Sequence, residues 1–343
     1  MTIAIVLVNW NGWRDCVDCI DSVLGSDSPP LHIYLVDNDS ADGSVQHLVD
    51  WCTNPVRAPE AKALPGALRY TDHASGQAIA FRLIDDLSAP APLQPECRLS
   101  IINSGGNLGF AGGNNVGLRL GLRDGCDWFW LLNTDTVMRH DALSCLLARA
   151  QREPGIGITG STLVYHGSPD RVQALAGELD LQSLTPSHLS EGLAVVDVPG
   201  DPAAIEAHMD YVVGASMFVP RAFVEQIGLM QEDYFLYYEE LDWALRGKAH
   251  FKLAWAPDSI VWHKVGGSTS RGESRVSLFS LSLLYRNRIK FVARFFPERM
   301  TDAKLGLWRL VLFYCSRLMF REARIVASAL FNARELIRQG QRS

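Results

Sequence analysis

At 343 residues the chain can bury one large core or two modest ones, and its 48% apolar and 20% charged content describes an ordinary folded protein and excludes the disordered class. Seven cysteines, odd in number and irregularly spaced, exclude a disulfide framework and point to a reducing compartment. The net charge of −6 divides unevenly: eleven Arg and two Lys face four acids from residue 276 onward, so an acidic body, a poor partner for duplex nucleic acid, carries a cationic tail suited to an anionic surface.

Residues 3–8 form a short apolar run, the pattern of a buried strand, and no basic region precedes it, so no signal peptide is expected. The run ends in the polar turn Asn9-Trp10-Asn11-Gly12. Residues 14–24 then show helical spacing in Cys16, Val17, Ile20, Val23 and Leu24. Cys16 and Cys19 make a lone CxxC without a second pair and read as small, buried or half-buried residues of that helix. A second strand at 31–36 ends in Asp37-Asn38-Asp39-Ser40-Ala41-Asp42-Gly43, where Asp42 is placed to cap a helix over 45–51. Strand, turn and helix repeated at this pitch open a doubly wound, mostly parallel α/β sheet.

Residues 53–97 break the rhythm with Pro55, Pro59, Pro65, Pro90, Pro92 and Pro95; only 79–87 reads as helix-like, and the stretch is expected to be a surface insertion. A strand at 98–102 then enters the glycine-rich run 103–115, followed by a helix to about 122. Such a turn lets backbone N–H groups approach a diphosphate or sugar, although it equally serves as a tight connection. It is not a Walker loop and does not fit GxGxxG.

The apolar run Trp128-Phe129-Trp130-Leu131-Leu132 stops abruptly at Asn133-Thr134-Asp135-Thr136, as a buried parallel strand does on leaving a sheet. Ligands of open α/β sheets bind beyond the carboxyl ends of the strands, so this end and the one at 36–43 are expected to face one crevice. The oxygens of Asn133 and Asp135 can reach one hard cation, Mg²⁺ or Mn²⁺; an Asx turn without metal is the alternative. A helix over 141–152 and a strand at 156–165 follow, residues 166–210 give no pattern, and 211–220 is strand-like.

Glu239, Glu240 and Asp242 are entered through the aromatics of 234–238. At roughly 100° per residue they cannot all point outward from one helical turn, so at least one faces the crevice. Asp242 is set to pair with Arg246, and capping of the helix N-terminus by acids accounts for one or two of the three. His263 ends a strand at 260–263, ahead of a glycine-containing turn at 264–268; it reads either as a satisfied structural residue or as a third metal ligand. In the tail, 278–296 and 305–336 are helical by period, with Arg286, Arg288, Lys290, Arg294, Arg309, Arg317, Arg321 and Arg324 among Leu, Phe, Trp and Tyr. The uncharged stretch at 310–316 is too short to span a bilayer, which needs about 20 apolar residues. The pattern fits an interfacial helix on anionic lipid or a helical pair packed on the body or on a second subunit.

Five segments occur together in order: Asn9-Trp10-Asn11; Val36-Asp37-Asn38-x-Ser40-x-Asp42-Gly43-Ser44; Asn107-x-Gly109-Phe110-Ala111-Gly112-Gly113-Asn114-Asn115; Leu132-Asn133-x-Asp135-Thr136; and Tyr238-Glu239-Glu240-x-Asp242-x-x-x-Arg246. Their combination resembles the family 2 glycosyltransferases, in particular the rhamnosyltransferase-like branch that builds bacterial surface polysaccharides. The resemblance covers residues 1–270, leaving 271–343 as a basic helical region. It implies a GT-A fold, a nucleotide-diphosphate sugar donor, Mg²⁺ or Mn²⁺, and inversion at the anomeric carbon. It implies donor contacts from Asn9, Asn11, Asp37, Asn38 and Asp39, from Asn107, Gly109, Gly112, Gly113 and Asn114, and from Asn133 and Asp135. Metal would be held by Asp135, Asn133 and His263, and the base would come from Glu240, with Glu239 and Asp242 beside it. A saccharide or lipid-linked acceptor is implied, hence a cytoplasmic protein, peripheral on the inner face of the membrane, with a homodimer open. Two departures stand out: Asn133 where the family often has aspartate, and Glu240 where it usually has aspartate. They leave a catalytically silent sugar-nucleotide-binding protein as one alternative. A sugar-phosphate nucleotidyltransferase is the other, disfavoured because Arg14 is the only base near the N-terminal turn.

Overall fold

The computed structural model describes residues 1–58, 61–88, 92–94, 96–264 and 277–342. The expected glycine turn at 265–268 and the division near residue 270 lie outside the described residues.

The first half runs β1 (Ile3–Asn9), α1 (Trp13–Leu24), β2 (Leu31–Asp37), α2 (Ser44–Thr53), α3 (Tyr70–Ala74), β3 (Phe81–Ile84), β4 (Leu99–Asn103), α4 (Gly109–Arg123), β5 (Trp128–Leu132), β6 (Thr136–Met138) and α5 (Ala142–Gln151). After it come β7 (Ile156–Tyr165), β8 (Val172–Ala174), β9 (Ala176–Asp180), β10 (Thr185–Leu189), α6 (Pro202–Glu206), β11 (Ser216–Pro220), α7 (Arg221–Ile227), α8 (Glu239–Gly247) and β12 (Lys252–His263). The tail is α9 (Leu278–Phe295), α10 (Met300–Ser316), α11 (Phe320–Phe331) and α12 (Ala333–Arg342).

One sheet organises the body, in the order β3-β4-β2-β1-β5-β11-β7-β12-β6, with β8 paired to β7 and a separate β9–β10 hairpin. From β3 to β5 all neighbours are parallel. Strand β11 inserts antiparallel between β5 and β7, β12 runs parallel to β7, and β6 closes the edge antiparallel. Residues 3–7 of β1 are fully buried because both faces are covered. Ile3, Ile5 and Leu7 join α1, α2 and α5, while Ala4 and Val6 join α4 and α8. The architecture is the mostly parallel, helix-flanked sheet expected, with a helical C-terminal segment.

Helix α4 lies close on β1 through glycines spaced by four. A Cβ on Gly113 would stand 2.6 Å from Val8, one on Gly117 2.4 Å from Val6, and one on Gly121 2.8 Å from Phe129. The glycine-rich run is therefore helical from Gly109 and serves packing as well as the crevice.

Three expectations are corrected. Residues 79–87, read as helix-like, supply the strand β3, whose edge position leaves one face exposed and blurs its period. The 53–97 stretch is not wholly surface-lying: Arg69 is 1% exposed and reaches Asp18, Thr71 bonds Asp21, and Leu64 packs beside Val137, Val164 and Trp262. The 305–336 stretch is not one helix: it is broken at Leu318 (φ 57°) and again between α11 and α12. Among the described residues no helix is long and apolar enough to cross a membrane.

Helix α9 has two apolar faces. Phe291 and Val292 belong to the same core as Tyr238, Leu241 and Trp243, whereas Leu281, Tyr285 and Ile289 pack with Leu307, Val326 and Leu336.

Gly117→Ala tests the close approach of α4. With a Val6 side chain at 2.4 Å the added methyl overpacks the core, and a loss of about 1–3 kcal/mol is expected in denaturant unfolding. An unchanged midpoint would show that α4 can lift without penalty.

Candidate active site

The ends of β1, β2 and β4 are laced together by carboxamides and a carboxylate. Asn9 is fully buried. Its Nδ2 donates to Asp37 Oδ1 at 2.8 Å and Ser40 Oγ at 3.0 Å, and its Oδ1 accepts from Gly12 N and Cys16 Sγ. Asp37 Oδ2 accepts from Ser40 N, and Asn11 Oδ1 accepts from Ala41 N. Asn38 Nδ2 donates to Asn107 Oδ1 and Gly109 O, while its Oδ1 accepts from Leu108 N. Asn9, Asp37, Asn38 and Asn107 thus brace the strand ends and the entry to α4, and the residue left facing outward is Asp39, exposed at φ 65°. Asn114 Nδ2 donates to Phe110 O within α4, beside the packed Gly112 and Gly113.

A second group gathers where β5 and β12 end. His263 Nε2 lies 3.1 Å from Asp135 Oδ1 and 3.5 Å from Asn133 Nδ2. All three predicted ligands therefore meet. Burial pushes the imidazole down and the Asp135 carboxylate pushes it up; the carboxylate wins and the pKa is raised. On the other side of the ring, Nδ1 stands 2.9 Å from Gln173 Oε1. A glutamine oxygen accepts, so Nδ1 carries the proton there and Nε2 is aimed at Asp135. His188, from β10, is close enough to His263 for their charges to interact. The strand end is fastened by Lys264, whose Nζ bonds Asp15 at 2.7 Å and Asp18 at 3.0 Å. Among the described residues no cluster of three His, Cys, Asp or Glu side chains could hold a metal. The donors here are one carboxylate, one imidazole and one carboxamide. That set fits Mg²⁺ or Mn²⁺ only where phosphate and water complete the shell, the usual situation for Mg²⁺.

The third group opens α8. Phe235, Tyr237 and Tyr238 all have positive φ (65°, 72° and 78°), a conformation that costs about 1–3 kcal/mol for each such residue. Asn287 of α9 holds the turn: its Nδ2 lies 2.7, 2.8 and 3.1 Å from the carbonyls of Tyr234, Leu236 and Tyr237. Lys290 Nζ donates to Asp233 O. The turn delivers three carboxylates into different surroundings. Asp242 is fully buried and saturated, accepting from Arg246 Nε at 2.7 Å, Arg294 Nη1 at 2.9 Å and Tyr234 Oη at 3.1 Å. Glu239 is 2% exposed and Glu240 half-buried, and Oε2 of each is buried with no hydrogen-bond partner among the described residues. Burial, then the Glu240 charge, pushes Glu239 well above the usual carboxylate range, and burial pushes Glu240 up to about 7.

These groups share a crevice through the loop before β11. Asn133 N donates to Ala215 O at 3.0 Å, and a Cβ on the adjacent Gly214 would stand 3.9 Å from the Glu240 carboxyl carbon and 3.6 Å from the Phe110 ring. A carboxylate titrating near neutrality is suited to accept a proton. Sequence reasoning missed Gln173, His188 and Asn287. Gln173 and His188 lie in a patternless stretch, but a lone carboxamide inside the apolar period of 278–296 was a readable signal for Asn287.

The fold is that of the GT-A glycosyltransferases. Residues 1–349 of TarS from S. aureus superpose with a TM-score of 0.51 at 9% identity, over 98% of this chain and 92% of that one. The mannosyltransferase PcManGT from Pyrobaculum calidifontis, solved with GDP-Man and Mn²⁺, gives 0.51 at 12% identity over 96% and 86%. No family model matches. By sequence the chain is similar to the low-salt glycan biosynthesis hexosyltransferase Agl10 of Haloferax volcanii, 28% identical over 177 residues, 50% of this chain and 54% of that protein. The chain thus aligns with about half the length of that curated relative.

Two measurements test this geometry. An acid whose folded pKa lies above its unfolded value keeps its proton longer in the folded state. Between the two values the unfolded state binds fewer protons, so stability falls as pH rises. For Glu240 the window runs from the ordinary glutamate value of 4.5 up to about 7. Glu240→Gln is expected to flatten that fall in Tm and to leave the variant more stable than the parent above it; superimposable Tm–pH curves would show an ordinary carboxylate. Asp242→Asn leaves Arg246 and Arg294 without their counter-charge and is expected to lose about 3–5 kcal/mol in urea unfolding, a loss under 1 kcal/mol meaning that Asp242 is not the hub of this network.

Proposed function

We propose that the chain is a family 2 glycosyltransferase. It moves a hexosyl or deoxyhexosyl group, rhamnose being one candidate, from a nucleoside diphosphate to a hydroxyl of a saccharide or lipid-linked acceptor, with inversion. The observation that carries the reading is the Glu239–Glu240 pair, each with a buried Oε2 that has no hydrogen-bond partner among the described residues, at a crevice it shares with Asp135 and His263. The hexosyltransferase name of the sequence relative and the GDP-Man in a structural neighbour support a nucleotide-sugar donor.

In this mechanism Asp39 and Asn11 contact the nucleoside from a platform braced by Asn9, Asp37 and Asn38. The entry to α4, from Asn107 and Gly109 to Gly112, Gly113 and Asn114, borders the diphosphate and sugar. Asp135, with His263 and Asn133, would hold a divalent cation, which would supply charge to offset that gathering on the leaving diphosphate. Glu240 accepts the acceptor hydroxyl proton as the new O–C1 bond forms on the face opposite the breaking C1–O(phosphate) bond. The leaving group departs as the nucleoside diphosphate, and no covalent enzyme intermediate is needed. Burial raises Glu240 to about 7, where base strength and ionisation are balanced; general-base help of this kind contributes about 10²–10⁴-fold. Glu239 neighbours the base and positions it, while Asp242 supports the turn that carries both.

The test is a panel of nucleotide sugars scored first by thermal shift with and without Mn²⁺, then by transfer or hydrolysis. A metal-dependent stabilisation by one donor class is expected, lost in Asp135→Ala and weakened in His263→Ala. Glu240→Gln should keep donor binding and lower kcat on the order of 10²-fold or more. Binding without turnover by the unaltered protein would make it a silent sugar-nucleotide receptor, and the absence of any donor effect would remove the reading altogether.

A further inference from the structure

Helices α10 and α11 of the tail present large apolar side chains that no described residue covers. On α10, Leu305, Trp308 and Leu312 recur at i, i+3 and i+7 on one outward stripe, and they are 49%, 47% and 67% exposed. Phe313 (49%), Leu318 (76%) and Phe320 (62%) continue it over the turn into α11. Aromatic side chains carry about 150–250 Å² each, so the aromatics alone leave a patch of a few hundred Å², the size at which an apolar surface marks an interaction site.

Leu318 adds an independent sign. It occupies the left-handed position after a helix C-terminus, φ 57°, with Met319 N bonded back to Tyr314 O. Glycine is the favoured residue there, and a side chain with a Cβ is strained. A leucine that is strained and three-quarters exposed contributes no packing to offset its conformation.

The chemistry around the patch is one-signed. Between residues 303 and 334 six basic residues face a single acid, Glu322. Arg309, Arg317, Arg321 and Arg324 are all exposed, and Arg317 lies over the Phe313 ring at 5.5 Å. A second copy meeting this face across a two-fold axis would set arginines against arginines. An anionic surface with an apolar interior matches both features, since apolar side chains enter the acyl boundary while guanidinium groups remain at the headgroups.

We propose that the α10–α11 tip is a membrane-docking surface for anionic phospholipid, with Leu312, Phe313, Leu318 and Phe320 as the inserted wedge and Arg317, Arg321 and Arg324 as its collar. The contact is peripheral, and it holds whatever reaction the crevice performs.

The full chain is tested by co-sedimentation with vesicles of phosphatidylglycerol and phosphatidylcholine in equal parts, and with phosphatidylcholine alone. Binding is expected to the anionic vesicles, not to the neutral ones, and to fall as salt rises. Arg321→Gln and Arg324→Gln should each weaken partition about 5-fold, and Phe320→Ser roughly 10-fold. Leu318→Gly is the discriminating variant: it relaxes the backbone, so Tm should hold or rise while partition falls roughly 10-fold. No anionic-vesicle binding at low salt, or binding untouched by Leu318→Gly and Phe320→Ser, overturns the proposal. So does a dimer in sedimentation velocity that Phe320→Ser abolishes while the unaltered protein ignores vesicles, because the face would then belong to a second copy.

Discussion

The carboxamide of Asn287 is the interaction on which the crevice depends. Three residues with side chains, Phe235, Tyr237 and Tyr238, are held at positive φ within four positions, and no local sequence preference favours that arrangement. One amide nitrogen on α9 gathers three carbonyls of the turn, of which Tyr234 O also accepts from Leu236 N. The consequences spread in both directions. Phe235 O is free to accept from Phe110 N at the start of α4, so closely that Gly109 could not carry a side chain: its Cβ would fall 2.3 Å from that oxygen. Tyr238, in turn, becomes the N-cap of α8 and decides which way Glu239 and Glu240 point.

The three acids of α8 show how one helical turn separates roles by partners alone. Asp242 faces two guanidinium groups and a phenol and is a structural counter-ion. Among the described residues no cation faces Glu239 or Glu240, so burial dominates and both are raised. Their position at a helix N-terminus favours negative charge by only a few tenths to about 1 kcal/mol, less than the penalty of burial. A pair of this kind costs stability, and it persists because the turn below it is over-determined by Asn287, Lys290 and Arg294.

Much of the fold was legible in the sequence, because β1, β2 and β5 are buried on both faces and read as continuous apolar runs with abrupt polar ends. The end of β5 located Asn133 and Asp135, the end of β12 located His263, and the three converge. The illegible parts share a cause: their stability comes from contacts distant in sequence. Strand β3 is short and half-exposed, so neither period marks it. Arg69 is buried only because Asp18, fifty-one residues earlier, receives it. Gln173 acquires meaning from a histidine ninety residues later. The glycine-rich run was read for its backbone, yet Gly113 and Gly117 lack side chains chiefly because α4 must lie on Val8 and Val6.

The charge of the tail carries a related lesson about counting. Its excess of basic residues looks like a single surface property, but the structure divides it in two. Arg288, Lys290 and Arg294 are turned inward, where they meet Ser183 O, Asp233 O and Asp242. These cations are the internal complement of the acidic body: Lys290 and Arg294 hold the α8 turn, and Arg288 holds the β9–β10 hairpin. Arg309, Arg317, Arg321 and Arg324 of α10, α11 and the turn between them stay at the surface, beside exposed apolar side chains. Helix α9 lies between the two sets, with Phe291 and Val292 in the core of the body and Leu281 and Ile289 in the core of the tail. A force applied at the tip therefore reaches the glutamate pair through one packed helix rather than a linker, so the orientation of the tail fixes the orientation of the crevice.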